Sequence, residues 1–182
     1  MESRKVTQLD YAILGLLSQG PLTGYKIRMT FENTALGNFS SSPGTIYPAL
    51  KRLAALKLID KKTKGAKRNG QTVMSITRMG TGVLKAWMRS GVTREDVAKN
   101  RDLLLLRFAF MDGVVSRSVA LTYLGLLAAA VEDYVNELAA YRALESSNLP
   151  ICGRLAIDHG IASYKATLAW CREAKIQLKE KN

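Results

Sequence analysis

The segment that most constrains this chain runs from Ser42 to Leu53 and reads Ser-Pro-Gly-Thr-Ile-Tyr-Pro-Ala-Leu-Lys-Arg-Leu. A serine followed at once by proline marks a helix start, because the hydroxyl caps unpaired backbone N–H groups and proline's missing N–H has no partner to lose there. At 100° per residue Leu50 and Leu53 fall within about 40° of Ile46, while Gly44, Pro48, Lys51 and Ala55 gather opposite, flanked by Tyr47 and Arg52. Such a helix has one face for a core and another that is small, aromatic and basic. Pro48 removes a backbone bond from its interior, which leaves the first turn open between Pro43 and Thr45.

The neighbouring segments are short. Leu9, Ile13, Leu16 and Leu17 line one face of a first helix that Gly20-Pro21 ends. Thr23 caps a second, carrying Tyr25, Ile27, Met29 and Phe31 before a turn-rich stretch at 33–42. Beyond the third helix, stretches 58–63 and 72–76 have β character and bracket Lys64-Gly-Ala-Lys-Arg-Asn-Gly70, in which Asn69-Gly70 signals a tight turn. Thr77 then caps a helix reaching about residue 90. Three helices and a hairpin with a basic tip are the layout of a winged helix-turn-helix.

Charge divides the chain at the same place. Residues 1–100 hold 17 Lys/Arg against 6 Asp/Glu, whereas residues 101–182 hold 10 against 9. A basic domain joined to a near-neutral one fits a polyanion binder with a separate assembly or sensing module. After a polar joint at 91–101 the pattern changes to long helices, at about 102–111, 116–145 and 154–181. Leu124, Leu127, Val131, Tyr134, Leu138 and Tyr141 follow a heptad spacing, and Ile157, Ile161, Tyr164, Leu168, Cys171 and Leu178 make a second seam. Asn148-Leu-Pro150 turns the chain between them, so the two helices run antiparallel. The fold class is therefore mainly α with a small β-hairpin: a winged helix-turn-helix at 1–92 and an antiparallel helical domain at 93–182.

Several function classes fall away. His159 is the only histidine, no nucleophile sits in a recognisable motif, and there is no Gly-rich phosphate loop, so no enzyme and no cofactor are expected. His159 reads as a capped or partly buried side chain, and Cys152 and Cys171 as reduced core residues, since no Cys/His spacing suits a metal. The first apolar stretch, 12–17, is too short for a signal core, and the longest, 119–131, falls short of the roughly 20 residues of a membrane helix. The expected location is the cytoplasm, with no membrane partner.

A helix with an apolar back and a small, basic front suits the major groove, about 12 Å wide. Lys51 and Arg52 then reach phosphates or guanine edges, and Lys64, Lys67 and Arg68 on the wing meet the adjacent backbone or minor groove. Two other classes stay open on the same residues: a winged helix that docks a protein partner, and a nucleic-acid binder without sequence preference, RNA included. A protein-docking helix usually exposes apolar anchors where this one exposes Lys51 and Arg52, and Tyr47 alone offers little stacking for RNA.

Gly24-Tyr25 with Ile27, the string Pro43-Gly-Thr-Ile-Tyr-Pro-Ala-Leu-Lys-Arg-Leu53, Leu58-Ile59, and Ile76-Thr77 with Gly80 resemble the PadR family of bacterial transcriptional regulators. Arg101-Asp-Leu-Leu-Leu-Leu-Arg107 and the two long helices are similar to its larger members, including the virulence-activator branch. The resemblance implies a homodimer held by the C-terminal helices, here Leu124, Leu127, Val131, Tyr134, Leu138, Ile161, Tyr164 and Leu168, each half reading one side of an inverted repeat in double-stranded DNA, as a repressor. By position it implies DNA contacts from Thr45, Tyr47, Pro48, Lys51 and Arg52, with Tyr25 and Lys26 on phosphates. It also implies a small aromatic or amphipathic effector, for which Phe108, Phe110, Met111, Tyr123, Tyr164 and Trp170 offer a lining. The chain departs from the family in three places: Gln71-Thr-Val-Met74 stands where many members carry a basic residue and two tyrosines, Lys57 replaces a glycine, and Ala54 replaces an acidic residue.

Overall fold

The structure is a computed structural model and describes residues 6–34, 36, 42–64, 71–145 and 148–180. The chain divides into two compact units: residues 1–88 with 110–114, and residues 89–109 with 115–182.

The first unit begins with α1 (Gln8–Ser18), whose N-terminus is closed by a capping box: the Thr7 hydroxyl accepts from the Asp10 N–H, and the Asp10 carboxylate accepts from the Thr7 N–H. Then follow β1 (Leu22–Thr23), α2 (Gly24–Asn33, capped by the Thr23 hydroxyl), α3 (Pro43–Ala55), β2 (Ile59–Lys64), β3 (Gln71–Ile76) and α4 (Arg78–Arg89). The sheet order is β1-β3-β2, antiparallel throughout, with Leu22 opposite Met74 and the β2–β3 ladder running from Ile59 opposite Ile76 to Lys64 opposite Gln71. The two-residue β1 is absent from the sequence expectation, because so short a strand leaves no alternation to detect. Ile13, Leu14 and Leu17 of α1, Ile27 and Phe31 of α2, Ile46, Leu50 and Leu53 of α3, and Leu84 and Met88 of α4 form the buried core. Tyr11 stacks on Trp87 with ring centroids 4.5 Å apart, and Phe110 lies against α1 at Gly15.

The end of α3 explains one departure from the family pattern. The Lys57 N–H donates to the Ala54 carbonyl and the Leu58 N–H to the Leu53 carbonyl, the two bonds of a Schellman cap, and Lys57 takes the left-handed conformation at φ 57°. Glycine adopts this conformation freely and lysine does not. Lys57→Gly is therefore expected to raise stability by about 1 kcal/mol, read as an upward shift of the thermal midpoint.

In the second unit, α5 (Arg94–Lys99) and α6 (Arg101–Ala109) precede α7 (Arg117–Leu144) and α8 (Ile151–Glu180). The stretch expected as a plain joint thus holds a helix, announced by the Thr93/Asp96 capping box. α7 and α8 run antiparallel, as the sequence predicts. Arg142 pairs with Asp158 at 3.0 Å, the Tyr134 and Tyr164 rings meet edge to face at 5.0 Å, and Gly125 faces Lys175. Arg107 is buried, donating to the carbonyls of Ser90 and Gly91 with its guanidinium over the Tyr123 ring, while the Tyr123 hydroxyl donates to the Leu104 carbonyl at 2.8 Å. Cys171 is buried as expected, and burial pushes its thiol up to about 11; Cys152 and His159 are exposed, against expectation, on outer positions of α8.

By length and composition α7 alone among the described residues qualifies to cross a membrane, although its longest unbroken apolar run is short. Core helices of helical hairpins meet the same criterion, and α7 carries Glu132, Asp133 and Glu137 in its middle turns while its apolar seam packs inside the unit.

Candidate nucleic-acid interface

The interface is built on α3. Its start is the expected one: the Ser42 hydroxyl accepts from the Gly44 N–H at 3.2 Å, Pro43 occupies the first turn, and the Thr45 hydroxyl donates back to the Ser42 carbonyl at 2.9 Å. The helix continues through Pro48. The carbonyl that loses its donor belongs to Gly44, and both residues are exposed, so water can take the donor's place.

Ile46, Ala49, Leu50 and Leu53 are buried, and Gly44, Thr45, Tyr47, Pro48 and Lys51 are exposed. Tyr47 is 47% exposed and rests against Gly24 of α2, where an added Cβ would stand 3.1 Å from Tyr47 Cε1. The tyrosine therefore presents one side outward from a fixed seat, and Gly24 is the residue that allows the approach. On α2, Tyr25 and Lys26 are exposed, with the Arg28 guanidinium 5.5 Å from the Tyr25 ring centre.

The wing is basic along its length. Lys61 and Lys62 of β2, an edge strand, are exposed and add two cations that the sequence reading does not single out. Their signal is the run Lys61-Lys62 in a strand that, among the described residues, has no partner on its outer side. Lys64 ends β2, and Lys67 and Arg68 lie outside the described residues.

Arg52 is engaged within the chain. Its partly exposed guanidinium holds Asp10 of α1 by two bonds, Nε to Oδ2 at 3.1 Å and Nη2 to Oδ1 at 2.6 Å, and Nη2 also reaches the Thr7 hydroxyl at 3.3 Å. Asp10 is fully buried. Sequence reasoning misses it because a single aspartate in the first turn of a helix reads as an ordinary cap.

Residues 13–86 match the Transcriptional regulator PadR-like family, and residues 100–179 match the family described as Virulence activator alpha C-term. The chain therefore carries a PadR-like domain followed by a Virulence activator alpha C-term domain. The PadR-like family is one of transcriptional regulators, which are not enzymes. A curated relative, the transcriptional regulator YqjI of Escherichia coli K12, is 34% identical over 73 residues, which is 40% of this chain and only 34% of that protein's length. Among solved structures, a PadR-like transcriptional regulator from Bacillus cereus is 22% identical, with 98% of this chain and 99% of that one covered at a TM-score of 0.42. Bacillus subtilis PadR in complex with operator DNA is 25% identical, covering 93% and 98% at 0.42, and the same protein in complex with p-coumaric acid is 24% identical, covering 96% and 97% at 0.43.

The residues expected to meet a partner subunit or an effector are redistributed in the structure. Leu124, Leu127 and Val131 are buried within their own unit, where α7 packs on α8, α5 and α6, so they offer no surface to a second copy. Tyr134, Leu138, Ile161, Tyr164 and Leu168 are half-buried. Large apolar side chains do remain exposed near the turn of the hairpin: Tyr141, Leu144, Ile151 and Leu155. Of the effector set, Phe108 and Trp170 meet edge to face at 5.2 Å and border a cavity of about 480 Å³ with Ala174, Gln177, Leu178 and Glu180. Tyr123 and Met111 are buried elsewhere, Tyr123 under Arg107 and Met111, like Phe110, in the first unit, and neither lines that cavity.

Proposed function

We propose that the chain is a sequence-specific DNA-binding regulator, a repressor that sets two copies of α3 in successive major grooves of an inverted repeat, about 34 Å apart. The observation that carries this reading is the two-sided α3: a wholly apolar back locked into the core and a front of Thr45, Tyr47 and Lys51 seated for contact. Thr45 and Tyr47 stand in the first turns, which is where a recognition helix meets base edges. Lys26, Lys51, Lys61 and Lys62, with Lys64, Lys67 and Arg68 of the wing, supply the cations for phosphates. The second copy is held through the half-buried seam residues of α7 and α8 and the apolar residues near their turn. The cavity beside Phe108 and Trp170 is the place for a small aromatic effector, since aromatic edges and a few polar groups line it.

The test is selection of random double-stranded DNA by the purified protein at two salt concentrations. An enriched inverted repeat with half-sites one helical turn apart supports the reading; salt-sensitive binding without enrichment leaves a nonspecific binder, and no binding favours the protein-docking alternative. On the selected site, Lys67→Ala with Arg68→Ala is expected to weaken binding to all sequences alike and to lower the salt slope by about 1.8, near 0.9 for each phosphate that is no longer neutralised. Tyr47→Ala is expected instead to change which site is preferred.

A further inference from the structure

Asp10 is a fully buried carboxylate in a unit otherwise packed mostly with apolar side chains, and it accepts four hydrogen bonds. Its Oδ2 accepts from the Thr7 N–H at 2.8 Å, the Thr7 hydroxyl at 3.0 Å and Arg52 Nε at 3.1 Å, and its Oδ1 accepts from Arg52 Nη2 at 2.6 Å. A carboxylate withdrawn from water is tolerated only when paired and hydrogen-bonded as completely as this. The cap of α1 alone needs no arginine, since serine or threonine at the cap with a surface aspartate achieves it. What the arginine adds is a planar, two-bond link from the start of α1 to α3, forty-two residues away in the sequence.

We propose that Asp10 and Arg52 form a latch that fixes the orientation of α3, so that Arg52 is a positioning residue of the DNA interface and not a DNA contact. The inference rests on the DNA-binding reading above. Arg52 stands in the last turn of α3, about 10 Å along the axis from Thr45 at 1.5 Å per residue, away from the end that meets bases. The two-bond edge of its guanidinium is committed to Asp10. Apolar packing of Ile46, Leu50 and Leu53 resists removal of the helix from the core but restrains its rotation and sliding weakly, because dispersion contacts are non-directional. A forked ion pair is directional. The latch thus sets the register in which Thr45, Tyr47 and Lys51 are offered to the groove.

The test compares wild type, Asp10→Asn, Arg52→Gln, Arg52→Lys and the Asp10→Asn/Arg52→Gln double variant in the full chain. Each is measured on the selected operator and on unrelated DNA across a salt series, with helicity checked by circular dichroism. A latch predicts that operator binding falls relative to unrelated DNA by about tenfold, the equivalent of losing discrimination at one base pair. It predicts the fall for Asp10→Asn as well as for Arg52→Gln, and a double variant no worse than either alone. It also predicts an unchanged salt slope in every variant, and that Arg52→Lys, which keeps the charge and loses the fork, fails to restore the ratio. If Arg52 instead touches a phosphate, Arg52→Gln lowers the slope by about 0.9, Arg52→Lys restores binding and Asp10→Asn is silent, which overturns the latch alone. A wild-type chain that binds no DNA overturns the DNA-binding reading and the positioning role together.

Discussion

Gly80→Ala is expected to unfold or severely loosen the first unit, at a cost of about 3 kcal/mol or more. The reason lies in one junction. The Thr77 N–H donates to the Leu58 carbonyl, its hydroxyl shares a proton between the carbonyls of Lys57 and Leu58, and the same hydroxyl accepts from the Gly80 N–H. The first turn of α4 is thereby pinned on the strand entry that follows α3, and Gly80 is where the two backbones meet. A Cβ at Gly80 would fall inside the contact distance of the Leu58 carbonyl oxygen, 3.0 Å from its carbon and 2.9 Å from Ile76 Cγ1. No side-chain rotation relieves an overlap with backbone, so α4 must lift and the Thr77 bonds must lengthen. Gly82, two residues on, is exposed with open space around its Cβ position. Gly82→Ala is expected to stabilise by up to about 1 kcal/mol through helix propensity. Thermal unfolding of the two variants side by side checks the argument, because opposite signs at neighbouring glycines of one helix isolate the overlap; equal, small shifts would refute it.

The same junction shows what the sequence makes legible. Thr77 stands out in the sequence as a helix cap, but only the fold shows that it and Gly80 close the gap between α3 and the wing. Local signals behave in this way generally. The cap at Ser42-Pro43, the face of α3, the cap at Thr23 and the β2–β3 pairing follow from periodicity and turn chemistry that each segment carries within itself. β1 is invisible because two residues carry no period, and its pairing with β3 is a long-range event. Asp10 and Arg52 are invisible as a pair for the same reason. Each looks like a surface charge on its own helix, and nothing in either segment says that the other will arrive to neutralise it. Pairing across the fold is also why the aromatics after residue 100 read as one lining in the sequence: Phe108 and Trp170 come together, whereas Met111, three residues past Phe108, belongs to the other unit.

The heptad seam gives the second large effect. Read from spacing alone, Leu124, Leu127 and Val131 form a stripe that needs a partner helix, and the family resemblance suggests a second subunit as the source. In that case Leu127→Glu would yield a folded monomer. The structure supplies the partner from the same chain: α8 returns along α7, and Leu127 is 1% exposed inside the unit. A carboxylate forced into that site is withdrawn from water, and a penalty of about 4–5 kcal/mol is comparable to the whole stability of a small domain. Leu127→Glu is therefore expected to abolish much of the helical signal in circular dichroism rather than to release folded monomers. Leu144→Glu is the necessary comparison, since Leu144 is 77% exposed at the end of α7 and a charge there leaves the unit's interior untouched. It is expected to keep full helicity, and under the homodimer reading it shifts the protein toward the monomer in sedimentation, because Leu144 lies among the apolar side chains left uncovered near the turn. Full helicity with intact assembly in Leu127→Glu would mean that α7 and α8 do not pair within one chain, and the two seams would then have to be shared between chains.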